Sequence, residues 1–300
     1  MNTYFHGTKA GHRDDIHDIT GILSGHAARH NPDTGVSIVI FPDKCVGSVD
    51  VRGGAPGSRE IDALQPGHVV DDIHGLFFTG GSAHGLAAGS VVSEYLYNQG
   101  QGVRIKTNVP VVPIVAGAVI YDLQPAHNNL ALKSCYETLA QEAISQLGTS
   151  KPMPRHGAGA GARDGSAVGG GLSCASRQCE DIVVASMMIA NPVGRIAQEG
   201  LISLSETKLG GMSLAGGQTT IGVVITNAKL DKLQLKRMAI MAHDGMARAI
   251  NPSHTPHDGD LIFAVSTGDI VPPLPTAVTT MLCGQMAAEA VEFALKKLAP

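Results

Sequence analysis

The run Gly216-Gly217-Gln218-Thr219-Thr220-Ile221-Gly222-Val223-Val224-Ile225-Thr226-Asn227 decides the reading of the chain. From Thr219 onward, β-branched and apolar residues predominate, which predicts a buried strand. Two glycines precede it and leave the approaching backbone free to bend. A threonine at the first position of a core strand is held by the sheet on its C-terminal side alone. The 218–219 peptide bond is therefore a place where strain can break a chain. Scission there would leave a hydroxyl beside a new α-amino group. Such an amine titrates at about 7.7–8.0, so near neutrality it can take a proton where a lysine, at about 10.4, cannot. The same residues also suit a plain Gly-Gly-Gln turn before a strand that Thr219 opens. The segment alone leaves both readings standing.

Downstream, residues 230–250 predict a long helix with Leu235, Met238, Ala242, Gly245, Met246 and Ala249 inward. Asp258-Gly259-Asp260 then leads into a strand over 261–266. Two carboxylates flanking a glycine at a strand entrance can position a nucleophile or an amine, or can form a solvated turn. A last helix, about 275–297, is apolar enough to be buried or to meet another subunit.

Upstream, residues 1–35 read as polar and turn-prone, and 36–40 as the first strand. Residues 48–51 extend into 52–60, where glycine and proline forbid regular structure. A strand at 74–79 runs into Gly80-Gly81-Ser82-Ala83-His84-Gly85 and then a helix reaching about Tyr97. Strand, glycines and helix in that order can offer free backbone N–H groups to an anion, or can be tight packing. The phosphate-loop spacing is absent. Residues 111–121 predict a long strand and 129–147 an amphipathic helix, with Leu132, Tyr136, Leu139, Ala140, Ala143 and Leu147 on one face. Residues 149–178 read as an irregular loop, 181–190 as a strand, and Asn191-Pro192-Val193-Gly194 as a turn placing an amide where strands converge. Loosely alternating strands and helices suit two sheets layered between helices.

Composition narrows the function. In 300 residues, 43% are hydrophobic and 16% charged, enough for a substantial core in one domain spanning 1–300. A net charge of -4 and the absence of Trp argue against nucleic acid as a partner. Five cysteines without a C-x-x-C pair give neither a zinc site nor a disulfide framework, and read as reduced thiols of a cytoplasmic protein. The start has no signal-peptide pattern, and no apolar stretch approaches the roughly 18 residues of a membrane span. His-Glu-x-x-His is absent despite thirteen histidines, so neither a metal nor any other cofactor is expected.

Six pieces in order carry a resemblance: Asp50-Val51-Arg52-Gly53-Gly54-Ala55-Pro56-Gly57, Leu76-Phe77-Phe78-Thr79-Gly80-Gly81-Ser82-Ala83, Val119-Ile120-Tyr121-Asp122, Asn191-Pro192-Val193-Gly194, Thr219-Thr220-Ile221 and Asp258-Gly259-Asp260. Over nearly its whole length the chain resembles the DmpA-type family of L-aminopeptidase/D-esterase, β-peptidyl aminopeptidase and nylon-oligomer hydrolase. The resemblance implies a four-layer αββα sandwich similar to N-terminal-nucleophile hydrolases. It implies a precursor that cuts itself into 1–218 and 219–300, with Thr219 as nucleophile. By the same resemblance Asn191 donates to the oxyanion and Tyr121 lines or polarises the site. Asp258 and Asp260 orient the nucleophile and its amine, while Gly81, Ser82 and His84 border the substrate. A homotetramer of cleaved protomers is implied as well.

Three departures stand out. Gln218 occupies a position usually Gly or Asn, and His84 one usually aromatic. Around 161–166 only Arg163 is basic, where a lysine is common. The expected reaction is removal of the N-terminal residue from a small peptide, amide or ester through an acyl-enzyme. In an aminopeptidase the substrate's ammonium must also meet an acid. If one aspartate holds the nucleophile, another acid, from a neighbouring subunit, would have to receive it. Rival readings are an endo-acting polyamide oligomer hydrolase, a metal enzyme, and a homologue that never matures and serves as a binding protein.

Overall fold

The computed structural model describes residues 7–198 and 218–300, so the Gly216-Gly217 pair lies outside the described residues. The strands and helices run β1 (Lys9–Ala10), β2 (Leu23–Arg29), β3 (Thr34–Ile40), β4 (Val46–Val51), β5 (Ser58–Arg59), β6 (Gly75–Thr79), α1 (Ala88–Asn98), β7 (Val115–Val119) and α2 (Leu132–Ser145). They continue with β8 (Gly171–Cys179), β9 (Ile182–Asn191), β10 (Arg195–Ile196), β11 (Thr219–Ala228), α3 (Lys232–Ala249), β12 (Ile250–Asn251), β13 (Leu261–Ile270) and α4 (Thr276–Lys296).

The larger sheet has the order β1-β8-β9-β11-β13-β4 and the second β2-β3-β6-β7-β5, while β10 and β12 pair in a separate two-stranded ribbon. Neighbours are antiparallel except β11 with β13 and β6 with β7. Because strand side chains alternate, each sheet is apolar on both faces. Ile221, Val223 and Ile225 pack with Phe78, Leu76 and Ala118 between the sheets. Val224, Ile262 and Ala264 turn the other way, onto α3 and α4. Ile38 and Phe77 do the same against α1 and α2. The result is the four-layer αββα sandwich. The inward faces expected for α2 and α3 are the buried ones, with Tyr136, Leu139, Ala140 and Ala143 in α2 and Leu235, Met238, Ala242 and Met246 in α3.

Three sequence expectations are corrected. Residues 1–35 contain β2, whose polar Ser24 and His26 hid it; both are buried because the His26 ring nitrogens meet Ser37 Oγ at 2.9 Å and Ser24 Oγ at 3.1 Å. The irregular stretch 149–178 ends in β8, where Ser176 Oγ donates to Asp18 and the Ser176 N–H to Asp14, so buried polar residues are satisfied. The long strand at 111–121 shortens to β7, because Pro110 and Pro113 supply no N–H and Val112 folds back to pair with Val103. Among the described residues no helix is long and apolar enough to cross a membrane.

Candidate active site

Thr219 is the first residue of β11, a strand held on both flanks. It sits directly opposite Asn191, the last residue of the antiparallel β9. Thr219 alternates in phase with Ile221 and Val223, and Asn191 with Ile189 and Met187. Both side chains therefore face the space between the sheets. Both are buried, at 5% and 4% exposure.

Around the 218–219 bond the polar atoms converge on one carbonyl. The Thr219 hydroxyl hydrogen-bonds the Gln218 carbonyl oxygen. The Gly259 N–H donates to the same oxygen at 3.0 Å. Gly259 is required there: a Cβ would lie 2.8 Å from Thr219 Oγ1 and 2.8 Å from the Ala55 carbonyl oxygen.

Asn191 is oriented by its neighbours. Its Oδ1 accepts from the Arg163 N–H at 2.9 Å. That fixes Nδ2 on the other side, where it donates to the Tyr121 carbonyl at 3.1 Å and lies 3.4 Å from Gln218 Oε1. Tyr121 meets the site through its main chain, and the residue is 45% exposed. The Arg163 guanidinium turns away, to Asp33 and to the carbonyls of Ala160 and Ala162.

The two aspartates are buried, so the solvated-turn reading of 258–260 is excluded. Asp258 accepts from the Val193 N–H at 3.1 Å through Oδ1, and through Oδ2 from the Thr255 N–H at 2.9 Å and hydroxyl at 2.6 Å. Asp260 accepts from the Thr220 N–H at 2.7 Å through Oδ1. Among the described residues neither carboxylate hydrogen-bonds Thr219. Asp260 precedes Leu261 in a strand whose odd residues face the other sheet, so it points toward α3 instead. The pair thus pins three backbone segments around the nucleophile position. Burial first, then the adjacent Asp260 charge, pushes Asp258 above the usual carboxylate range.

The glycine turn after β6 is closed to anions at four of its amides. Gly80, Gly81, Ser82 and His84 donate their N–H groups to Gly35 O, Asp122 Oδ1, Ile120 O and Gly81 O. Gly81 has a φ of 79°, and a Cβ there would lie 2.1 Å from the Tyr136 ring. Of the two readings offered for this turn, tight packing is the one realised at those amides. Ser82 is half-buried and His84 exposed, and among the described residues no hydrogen bond joins Gly81, Ser82 or His84 to Thr219, Asn191 or the aspartates. Sequence reasoning missed Gly259 as a donor and the Arg163 amide as the group that orients Asn191. Every residue except proline carries an N–H, so no residue-type signal marks them.

Comparisons with known proteins agree with this architecture. The model of Peptidase family S58 matches residues 14–297. An uncharacterized aminopeptidase of Mycobacterium bovis is 34% identical over 90% of this chain and 86% of its own length. A 6-aminohexanoate-oligomer endohydrolase of a Kocuria species is 28% identical over 86% of this chain and 76% of its own. Among solved structures, the L-aminopeptidase D-Ala-esterase/amidase of Ochrobactrum anthropi, titled a variant of the N-terminal-nucleophile hydrolase fold, superposes with a TM-score of 0.74. It is 18% identical, over 98% of this chain and 87% of that one.

Proposed function

The chain belongs to peptidase family S58, and we propose that it is a self-processing aminopeptidase whose nucleophile is Thr219. The observation that carries this reading is the Gln218 carbonyl, contacted at once by the Thr219 hydroxyl and by the Gly259 N–H. In the first step Thr219 Oγ adds to the Gln218 carbonyl carbon while the Gly259 N–H receives the developing oxyanion. The C–N bond then breaks, the hydroxyl proton ends on nitrogen, and an ester joins Gln218 to Thr219. Water cleaves that ester, leaving a carboxylate on Gln218 and a free amine on Thr219. The products are 1–218 and 219–300.

In turnover the freed α-amine is the base, since its titration near neutrality suits proton transfer. Asn191 Nδ2, already aimed by the Arg163 amide, supplies the oxyanion donor, a contribution of roughly 10²–10³ in rate for such groups. Asp258 and Asp260 act as buried pins. Their oxygens are occupied by backbone amides, which supports a separate acid, from a neighbouring subunit, for the substrate's ammonium. Such a supply fits a tetramer of cleaved protomers in the cytoplasm. Arg163 stands in the place of the family's lysine without bringing a side-chain cation to Asn191, and Ser82 and His84 border the substrate entrance.

Intact mass of the denatured protein tests the reading. The expected result is two fragments from the wild type, against one uncut 300-residue chain without hydrolase activity from Thr219→Ala. Two fragments from that variant would overturn the assignment. The Kocuria relative favours a second reading, endo-acting hydrolysis of amide oligomers by the same nucleophile. Product lengths from 6-aminohexanoate oligomers separate the two: stepwise loss from the amino end against internal cuts.

A further inference from the structure

Asp260 is 1% exposed, and its second oxygen leads away from the strand to a histidine. Oδ2 accepts from both the backbone N–H of His254, at 2.9 Å, and its ring Nδ1, at 2.8 Å. Nδ1 donates to the carboxylate, which leaves Nε2 as the second ring nitrogen to be matched. That Nε2 is buried and, among the described residues, has no hydrogen-bond partner. His254 stands edge-on to His243 of α3, ring centroids 4.8 Å apart at 74°. His243 Nε2 meets the Asp50 carbonyl at 3.2 Å, and its Nδ1 is also buried and without a partner among the described residues. Below it, Asp50 is held by Arg52 Nε and Lys236 Nζ, each at 2.8 Å. Burial first, then His254, pushes His243 down to about 4, so it stays neutral under its neighbour.

Two imidazoles with unmatched nitrogens are a poor choice for packing, since buried unpaired polar atoms destabilise. His254 also adopts a φ of 57°, a conformation unfavourable for a side-chain-bearing residue. Strain and unmatched polarity meet at the one side chain that, among the described residues, hydrogen-bonds Asp260 Oδ2. We propose that His254 is a positioning residue for Asp260 and, through it, for the strand start that carries Thr219. Its Nδ1–H fixes Oδ2, which leaves Oδ1 aimed at the Thr220 amide. That amide is the first backbone donor beyond the nucleophile, so the contact sets where the 218–219 bond lies against Gly259. The charged and titratable groups facing this ring and its support are Asp260, His243, Asp50, Arg52 and Lys236. The assignment rests on Thr219 being the nucleophile.

The test compares two variants that both tolerate the positive φ. His254→Gly removes the ring; the native side chain is 20% exposed, so free imidazole can enter the space it leaves. His254→Asn keeps a donor near the Nδ1 position. The primary readout is the rate of 218–219 scission, followed on denaturing gels after synthesis. The second is the kcat and KM of matured protein on L-alanine 4-nitroanilide. The expected result is scission slowed about 10- to 100-fold in His254→Gly, as for loss of a charge-assisted hydrogen bond, with recovery on added imidazole and near-native rates in His254→Asn. Loss should fall on kcat with KM little changed. A folded His254→Gly that cuts at the wild-type rate overturns the proposal. So do equal losses in both variants with no imidazole effect, which mean a purely structural role. A wild-type chain that never cuts overturns the Thr219 reading instead, and the same gels tell that apart from a slow variant beside a cut wild type.

Discussion

Gly259→Ala puts the geometry of the 218–219 bond to its hardest test. The backbone permits alanine, because Gly259 is not among the residues with positive φ. The new methyl would sit 2.8 Å from Thr219 Oγ1 and 2.8 Å from the Ala55 carbonyl, each 0.6 Å short of the 3.4 Å at which ordinary contact begins. The Ala55 carbonyl belongs to a segment tied to 258 through the Ala55 N–H, which donates to Asp258 O at 2.8 Å. The threonine hydroxyl is the mobile partner, since χ1 rotation moves it without breaking a strand. It should swing off the Gln218 carbonyl. Displacing a reacting atom by roughly 1 Å costs about 10²-fold in rate, while overpacking of this kind costs about 1–3 kcal/mol of stability. Pulse-labelled synthesis followed by denaturing gels gives the scission rate, and urea unfolding of the uncut chain gives the stability. A folded variant that matures as fast as the wild type refutes both the placement of the hydroxyl and the role of the Gly259 amide.

Two further outcomes are expected. For the matured protein, kcat/KM should rise with pH through about 7.7–8.0 as the Thr219 amine loses its proton; a profile flat across that range removes the amine as base. Acid stability should depend on His26, which burial first, and the His156 and His17 charges next, push down from 6.5 to about 3. A histidine with a depressed folded value stabilises fully above the unfolded value near 6.5, and that contribution is lost as pH falls toward 3. Near pH 4.5 the loss is about 3 kcal/mol. His26→Gln should flatten urea midpoints measured across that range, and an unchanged slope would contradict the assignment.

The strand from Thr219 was legible because nothing in it competes with β structure: Ile221, Val223, Val224 and Ile225 are all strand formers on two buried faces. The helices were legible for the matching reason, a clean 3.6-residue apolar period in α2 and α3. β2 and β8 were hidden because Ser24, His26, Ser173 and Ser176 are buried polar residues; His26 is matched by Ser24 and by Ser37 of the next strand, and Ser176 by Asp18, far away in sequence. Asn191 could be named from its turn, but its place opposite Thr219 follows from a register of the sheet that local spacing does not contain. The Asp-Gly-Asp pair was visible as chemistry, whereas its direction was not: alternation from Leu261 sends Asp260 toward α3. His254 carried no signal at all, because a histidine between two prolines reads as an ordinary loop residue.

The ownership of the first sheet has a practical consequence. β11 and β13 lie side by side at its interior, and their outer neighbours, β9 and β4, both belong to the 1–218 portion. A nick before Thr219 would therefore release no piece. The shorter polypeptide is clasped along both margins by the longer one, and withdrawing it means unzipping two ladders at once. Manufacture of the two portions as independent genes should then succeed only if they are made, or refolded, in each other's presence.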